Sequence, residues 1–298
     1  MNFEPRCDLF KSPVDPRDWI AEEIYLTAIP IPETFDWRDE LCVLPIRSQG
    51  TSSQCAAFSG AAIKETQELK ESRSQGSSFH NNFSTKPSKC YFSPQYIYNQ
   101  RYNKPANGMN TVDLMKIMKN GVLLEEDYPF APNYREQRIT AQQRKKALPY
   151  RIAGYARIET IEKTKEEIYM NGPVVFAVPT YTHNTMMWRP NGNKPGGHAM
   201  CLIGWTKDAF IVRNSWGANW GYDGYCYFPL ADWGMQWEVW TTVDYVTANK
   251  IKPIEPTPRP EPPLPTPIPV PPQPKPKPTP KIFSRIQDLI KNLFKSWS

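Results

Sequence analysis

Pro45-Ile46-Arg47-Ser48-Gln49-Gly50-Thr51-Ser52-Ser53-Gln54-Cys55-Ala56-Ala57-Phe58-Ser59 is the stretch that decides the fold. From Cys55 the run AAFSGAAIKETQELKES is rich in helix formers, with Phe58, Ala62 and Leu69 on one face and Ser52 or Ser53 placed to cap its start. The pattern predicts a helix that begins at or just before Cys55. Unpaired N–H groups and the positive end of a helix dipole favour thiolate over thiol, so a cysteine there can serve as a nucleophile. The same cysteine could equally be a buried structural one, and residues elsewhere in the chain have to decide.

A length of 298 residues allows one large domain or two lobes, and the 40% hydrophobic content is that of a globular protein. The prolines are unevenly spread, with 15 of the 32 between residues 253 and 280. Charge is equally local. Lys250 to Ser298 carries nine Lys or Arg against three Asp or Glu, which accounts for the whole net charge of +6. The remainder is neutral, so the basic balance belongs to a tail and gives no ground for expecting nucleic-acid binding by the folded part. The first residues lack the apolar run of a secretory signal, and no stretch of about 18 apolar residues occurs. An intracellular location with the six scattered cysteines reduced is the resulting expectation.

Residues 1–30 read as an N-terminal arm with a helical turn at Asp18 to Tyr25, and Gln67 to Lys89 reads as a loop. Ser93-Pro94-Gln95-Tyr96-Ile97-Tyr98-Asn99 has the form of a capped helix start, and Asn110 to Asn120 repeats the helical pattern up to Gly121. With the Cys55 helix these give an α-rich first lobe. From about Tyr150 short β-type runs follow at 152–158, 174–178, 199–205, 209–213, 225–228 and 238–242, interrupted by one helix at 163–169. Two lobes of different character place a site in the cleft between them.

His198 in Pro195-Gly196-Gly197-His198-Ala199-Met200 stands at the entry of an apolar strand, and Asn214 follows in Val212-Arg213-Asn214-Ser215-Trp216-Gly217. A helix-start cysteine, a downstream histidine and an asparagine soon after are the parts of a thiol nucleophile, its base and the group that orients the base. The three segments and their order resemble the papain-like cysteine peptidases, from Ile31 to roughly Val246. Within that family the resemblance is nearest to the intracellular-type branch of prokaryotes and large DNA viruses. Phe35-Asp36-Trp37-Arg38, Gly108 to Phe130 and Asn171 to Thr180 also fit. The resemblance implies an α+β, two-lobed fold with a helical left lobe, an antiparallel β-barrel-like right lobe and the active site in the cleft. It implies a cysteine-type endopeptidase acting on polypeptides through a thioester. Cys55 would be the nucleophile, His198 its ion-pair partner and proton donor, and Asn214 the group that fixes the imidazole tautomer. Trp216 would shield that bond, and Gln49 would donate to the oxyanion. No metal or cofactor is expected, and a monomer is. Isopeptide cleavage, acyl transfer, or a peptide-binding pseudoenzyme on the same fold are the alternatives.

Ser52 stands where secreted members have a half-cystine, and Gln54 and Ala56 flank the nucleophile where other residues are usual, so the expectation is an altered cleft floor. Asn107-Gly108 weakly matches the glycine strip that pairs with substrate backbone. His80 and His183 are assigned no catalytic role, although His183 in Tyr181-Thr182-His183-Asn184 could line the cleft wall. With only about 30 residues ahead of the entry motif, the arm is expected either to lie over the cleft as a short latch or to leave activity governed by redox state or location. At the other end, residues 251–281 read as a polyproline rod and 282–298 as a basic amphipathic helix, suited to an anionic membrane surface or a protein partner.

Overall fold

The computed structural model describes residues 5–24, 29–40, 43–75, 86–131 and 136–244. Its contacts divide the chain into Met1–Glu255 and Pro256–Ser298, and residues 251–298, for which a proline-rich rod and an amphipathic helix are expected, lie outside the described residues.

A central helix, α2 (Cys55–Gln75), begins at the expected cysteine and continues well past Gln67, where a loop was expected. The reason is tertiary. Lys64, Glu65, Thr66 and Gln67 are all buried, and a polar helix segment survives burial when its side chains find partners. Lys64 Nζ lies 2.7 Å from Asp244 and 2.6 Å from Glu68, and Gln67 Nε2 donates to Thr242 Oγ1 over 3.0 Å. Glu65 accepts from Arg47 Nη1 at 3.3 Å and lies 4.0 Å from Arg213.

Short helices complete the first lobe. α1 (Ala21–Ile24) is the turn expected in the arm. α3 (Pro94–Tyr98) is capped by Ser93, and α4 (Thr111–Met118) by Asn110, both as the sequence signals. α5 (Ala141–Ala147) is an element the sequence reading passed over, although Thr140 and Gln143 form a full capping box. α6 (Ile161–Asn171) is the helix expected within the β-rich half, two residues longer at each end.

β1 (Phe35–Asp36), β2 (Ile152–Ile158), β3 (Val174–Thr180), β4 (Gly196–Trp205), β5 (Ala209–Arg213), β6 (Tyr225–Pro229) and β7 (Glu238–Asp244) form one antiparallel sheet. Its order is β2-β7-β3-β4-β5-β6, with β1 on β4. Among the described residues β2 and β6 do not pair, so the sheet is open, which corrects the barrel-like expectation. A short-stranded sheet need not close on itself when helices and an arm cover it.

β3 and β4 are buried along almost their whole length and sort their side chains by the two-residue period. Val175, Ala177, Ala199, Cys201 and Ile203 join the core beneath α2 with Ala57, Ala61 and Ile63. Val174, Phe176, Val178, Met200 and Leu202 join a second core with Trp188, Phe228 and Trp216. The Cys201 thiol reaches the Ser59 carbonyl at 3.3 Å, which ties β4 to the first turns of α2.

Candidate active site

Helix α2 and strand β4 set the site. Cys55 is the first residue of α2 and 1% exposed. His198 lies two residues inside β4, so it belongs to the strand itself, and alternation puts its ring on the Met200 and Leu202 side, where Trp216 sits. Its Nε2 is 2.7 Å from Asn214 Oδ1, while Nδ1 has no hydrogen-bond partner among the described residues. Accepting at Asn214 Oδ1 requires the proton on Nε2, which leaves Nδ1 as the nitrogen free for chemistry. Asn214 Oδ1 also accepts from the Ser215 N–H at 2.8 Å, which holds the amide in that orientation. The Trp216 ring stacks on the imidazole with centroids 4.4 Å apart and planes at 30°, and Trp216 is itself 5% exposed. His183, left open by the sequence, meets the edge of Trp216 at 5.4 Å.

Gln49 is fully buried in the loop before α2. Its N–H donates to the Ser215 carbonyl at 2.8 Å, and its Oε1 accepts from Ser215 Oγ at 2.7 Å. That fixes the amide so that Nε2 faces the cleft, where it donates to the Arg6 carbonyl at 3.3 Å and to Ser52 O at 2.8 Å. Sequence reasoning missed Ser215 in this part; its position between Asn214 and Trp216 is the signal that could have found it.

Arg47 and Arg213 stand two residues before Gln49 and one before Asn214. Both reach Glu65 on α2, and Arg213 also donates to Leu44 O at 2.8 Å, so one buried carboxylate braces the loop and the strand that present the two amides. Burial raises the Glu65 carboxyl to about 7, and the two guanidinium groups act against that rise.

Cys55 and His198 are both enclosed. Burial pushes the Cys55 thiol up to about 11, with the backbone N–H groups of Ala199 and Ala56 opposing it. Burial also holds His198 down to about 4, against the hydrogen bond it donates to Asn214. The helix start was expected to favour thiolate; in this enclosed arrangement the loss of solvent outweighs the helix N-terminus, and both groups are neutral at pH 7. Gln54 also differs from expectation. Its side chain turns inward and donates to Gln95 Oε1 on α3 at 3.1 Å, so it does not shape the cleft floor, and Ala56 is buried beside it.

Ser52 Oγ donates to the Gln49 carbonyl at 2.6 Å, and Ser53 Oγ donates to Asp8 of the arm. Cys7, Cys55, Cys201 and Cys226 form no disulfide, and Cys42 lies outside the described residues. No group of His, Cys, Asp and Glu suited to a metal ion occurs among the described residues.

Residues 31–238 match the model of the papain family cysteine proteases. A cathepsin L-like proteinase of Phaedon cochleariae is 28% identical over 214 residues, covering 67% of this chain and 61% of that protein. A viral cathepsin of Heliothis zea nuclear polyhedrosis virus is 29% identical over 208 residues, covering 66% of this chain and 52% of its own length. The chain thus spans 61% and 52% of the length of these two relatives. Xylellain, a cysteine protease from Xylella fastidiosa, superimposes with a TM-score of 0.66 at 20% identity, covering 82% of this chain and 98% of that one.

Proposed function

Because the chain belongs to the papain family of cysteine proteases, matched across residues 31–238, we propose that it is a cysteine-type endopeptidase whose reacting groups are Cys55, His198 and Asn214. The observation that carries the reading is the 2.7 Å bond from His198 Nε2 to Asn214 Oδ1, with Nδ1 left unpaired among the described residues, at the strand that packs against the start of α2.

With the cleft open to substrate, His198 Nδ1 takes the Cys55 proton, and Sγ attacks the peptide carbonyl carbon to form a C–S bond. The oxygen gains negative charge and is met by Gln49 Nε2 and the Cys55 backbone N–H. The imidazolium returns its proton to the amide nitrogen, the C–N bond breaks and the amine leaves. Water then attacks the thioester, His198 accepts the water's proton, and the acid departs as the thiol is restored. Asn214 holds the tautomer throughout, and Trp216 keeps water from that hydrogen bond.

The test is covalent labelling of the reduced protein by an epoxide peptide inhibitor, read by peptide mass. Labelling at Cys55, lost in Cys55→Ala, together with hydrolysis of a fluorogenic peptide, is the expected result. Absence of both from a folded, reduced protein overturns the reading.

A further inference from the structure

Asn214 uses only one end of its amide in the site. Its Oδ1 accepts from His198 Nε2 at 2.7 Å and from the Ser215 N–H at 2.8 Å, while its Nδ2 is buried without a hydrogen-bond partner among the described residues. The residue is 3% exposed, so bulk water does not reach the donor. A buried donor at the residue that orients the base calls for a partner.

Beside it lies a cavity of about 20 Å³, whose walls include Asn214, Ser215, Arg213, Arg47, Glu65 and Cys201. Roughly 10–15 Å³ is enough for one water molecule, provided that two to four polar groups surround it. Glu65 supplies an acceptor there. Its Oε1 is taken by Phe92 N at 3.1 Å and by Arg47 Nη1 at 3.3 Å. Its Oε2 stands 4.0 Å from Arg213 Nη2, which donates to the Pro45 carbonyl at 3.2 Å instead. At 4.0 Å there is no direct hydrogen bond, and it is a spacing at which a bridging water belongs.

The carboxylate is held on a rigid frame. Glu65 sits ten residues along α2 from Cys55 and is buried. The guanidinium of Arg47 lies over the rings of Phe58 and Tyr91, 5.1 and 4.6 Å from their centroids, and pairs with Glu125 as well. Whatever bonds to Glu65 Oε2 is therefore fixed relative to the start of the helix that carries Cys55.

We propose that Glu65 is a positioning residue for Asn214, acting through one ordered water in this cavity that accepts a hydrogen bond from Asn214 Nδ2 and donates one to Glu65 Oε2. This rests on the peptidase reading for its kinetic test but not for its geometry. With Nδ2 tied back, the amide cannot exchange its two ends, so Oδ1 stays on the imidazole and the proton stays on Nε2. The tie needs an accepting oxygen, and an ionised carboxylate accepts at both oxygens, whereas a protonated one carries its proton on one of them. The charged and titratable groups around Glu65 are Arg47 in the loop before α2, Arg213 on β5, Cys201 on β4, Cys90 and Tyr91 before α3 and, beyond Arg47, Glu125. Burial holds the Glu65 carboxyl at about 7, so the tie strengthens as pH rises through that value and weakens below it.

The experiment has two arms, both on the full chain. A high-resolution crystal structure of the wild type is expected to show one water within hydrogen-bond distance of both Asn214 Nδ2 and Glu65 Oε2. No water there overturns the proposal. The second arm compares kcat and KM of wild type and Glu65→Gln on a fluorogenic peptide from pH 5.5 to 8.5, using proteins that melting curves show to be folded. Wild-type kcat is expected to climb through about 7. Glu65→Gln has one accepting oxygen in place of two and no charge, so its kcat is expected to stay flat over that range, about tenfold below wild type at pH 8.5, with KM little changed. A merely structural carboxylate would lower the melting temperature and leave the profile of the folded enzyme in place; identical profiles in the two proteins overturn the positioning role. The crystallographic arm needs no variant and keeps the proposal open to refutation should Glu65→Gln fail to fold. A bridging water together with no hydrolysis by wild type at any pH supports the tie and removes the peptidase reading.

Discussion

Ser215 Oγ donates to Gln49 Oε1 over 2.7 Å, and this bond decides which end of the Gln49 amide faces the cleft. An amide has an accepting and a donating end, and only the donating end stabilises a developing oxyanion. Ser215→Ala leaves the amide free to rotate. The expected outcome is a kcat about tenfold lower with KM nearly unchanged, against a loss of ~10²–10³ for Gln49→Ala. Steady-state kinetics on one fluorogenic peptide checks both, and an unchanged kcat for Ser215→Ala removes the positioning role.

Trp216 covers the His198–Asn214 bond by stacking at 4.4 Å. In Trp216→Ala, water reaches the imidazole, competes for Asn214 Oδ1 and relieves the burial that holds His198 at about 4. A kcat lower by on the order of tenfold is expected, together with an acid limb of the pH–rate profile that moves to higher pH. An acid limb that stays in place counts against burial as the cause.

His198 also bears on stability. Its folded-state value is depressed from 6.5 to about 4 by burial, so in this range the unfolded chain binds a proton that the folded one does not. The groups around it are Asn214, Trp216 and His183, and of these His183 pushes it further down. The contribution is fully present above about 6.5 and is lost as pH falls toward about 4. Thermal unfolding followed from pH 7.5 to 4.5 is expected to show a steeper loss for wild type than for His198→Gln.

Lys64 is wholly buried and joins α2 to the end of β7 through Asp244. Removing one member of such a pair strands the other charge, at a cost of about 3–5 kcal/mol. Lys64→Ala is therefore expected to unfold in less denaturant by roughly that amount, and Lys64→Met/Glu68→Gln/Asp244→Asn, which removes both carboxylates that face the ammonium, to recover most of it. Chemical denaturation of the three proteins gives the comparison, and a cost under about 1 kcal/mol for Lys64→Ala rules the pair out as a major tie.

Much of this was legible in the chain. The helix start at Cys55 follows from its alanine-rich run, the caps at Ser93 and Asn110 from their side chains, and the strands from β-type runs punctuated by Gly, Pro and Asn. These are local signals, and local chemistry suffices for them. The extension of α2 to Gln75 was not legible, because the partners that allow Lys64, Glu65 and Gln67 to be buried lie far away in sequence. Nor was the inward turn of Gln54, which depends on Gln95.

The sequence by itself determined which residues could form a nucleophile, a base and an orienting amide, since Cys55, His198 and Asn214 carry that chemistry in their side chains. Only the tertiary structure decided their state. It aimed Gln49 through Ser215, put Trp216 on the imidazole, and enclosed Cys55 so that desolvation outweighs the helix N-terminus. The reason is that protonation and orientation depend on neighbours and on access to water, and both are settled by segments that meet only when the chain is folded.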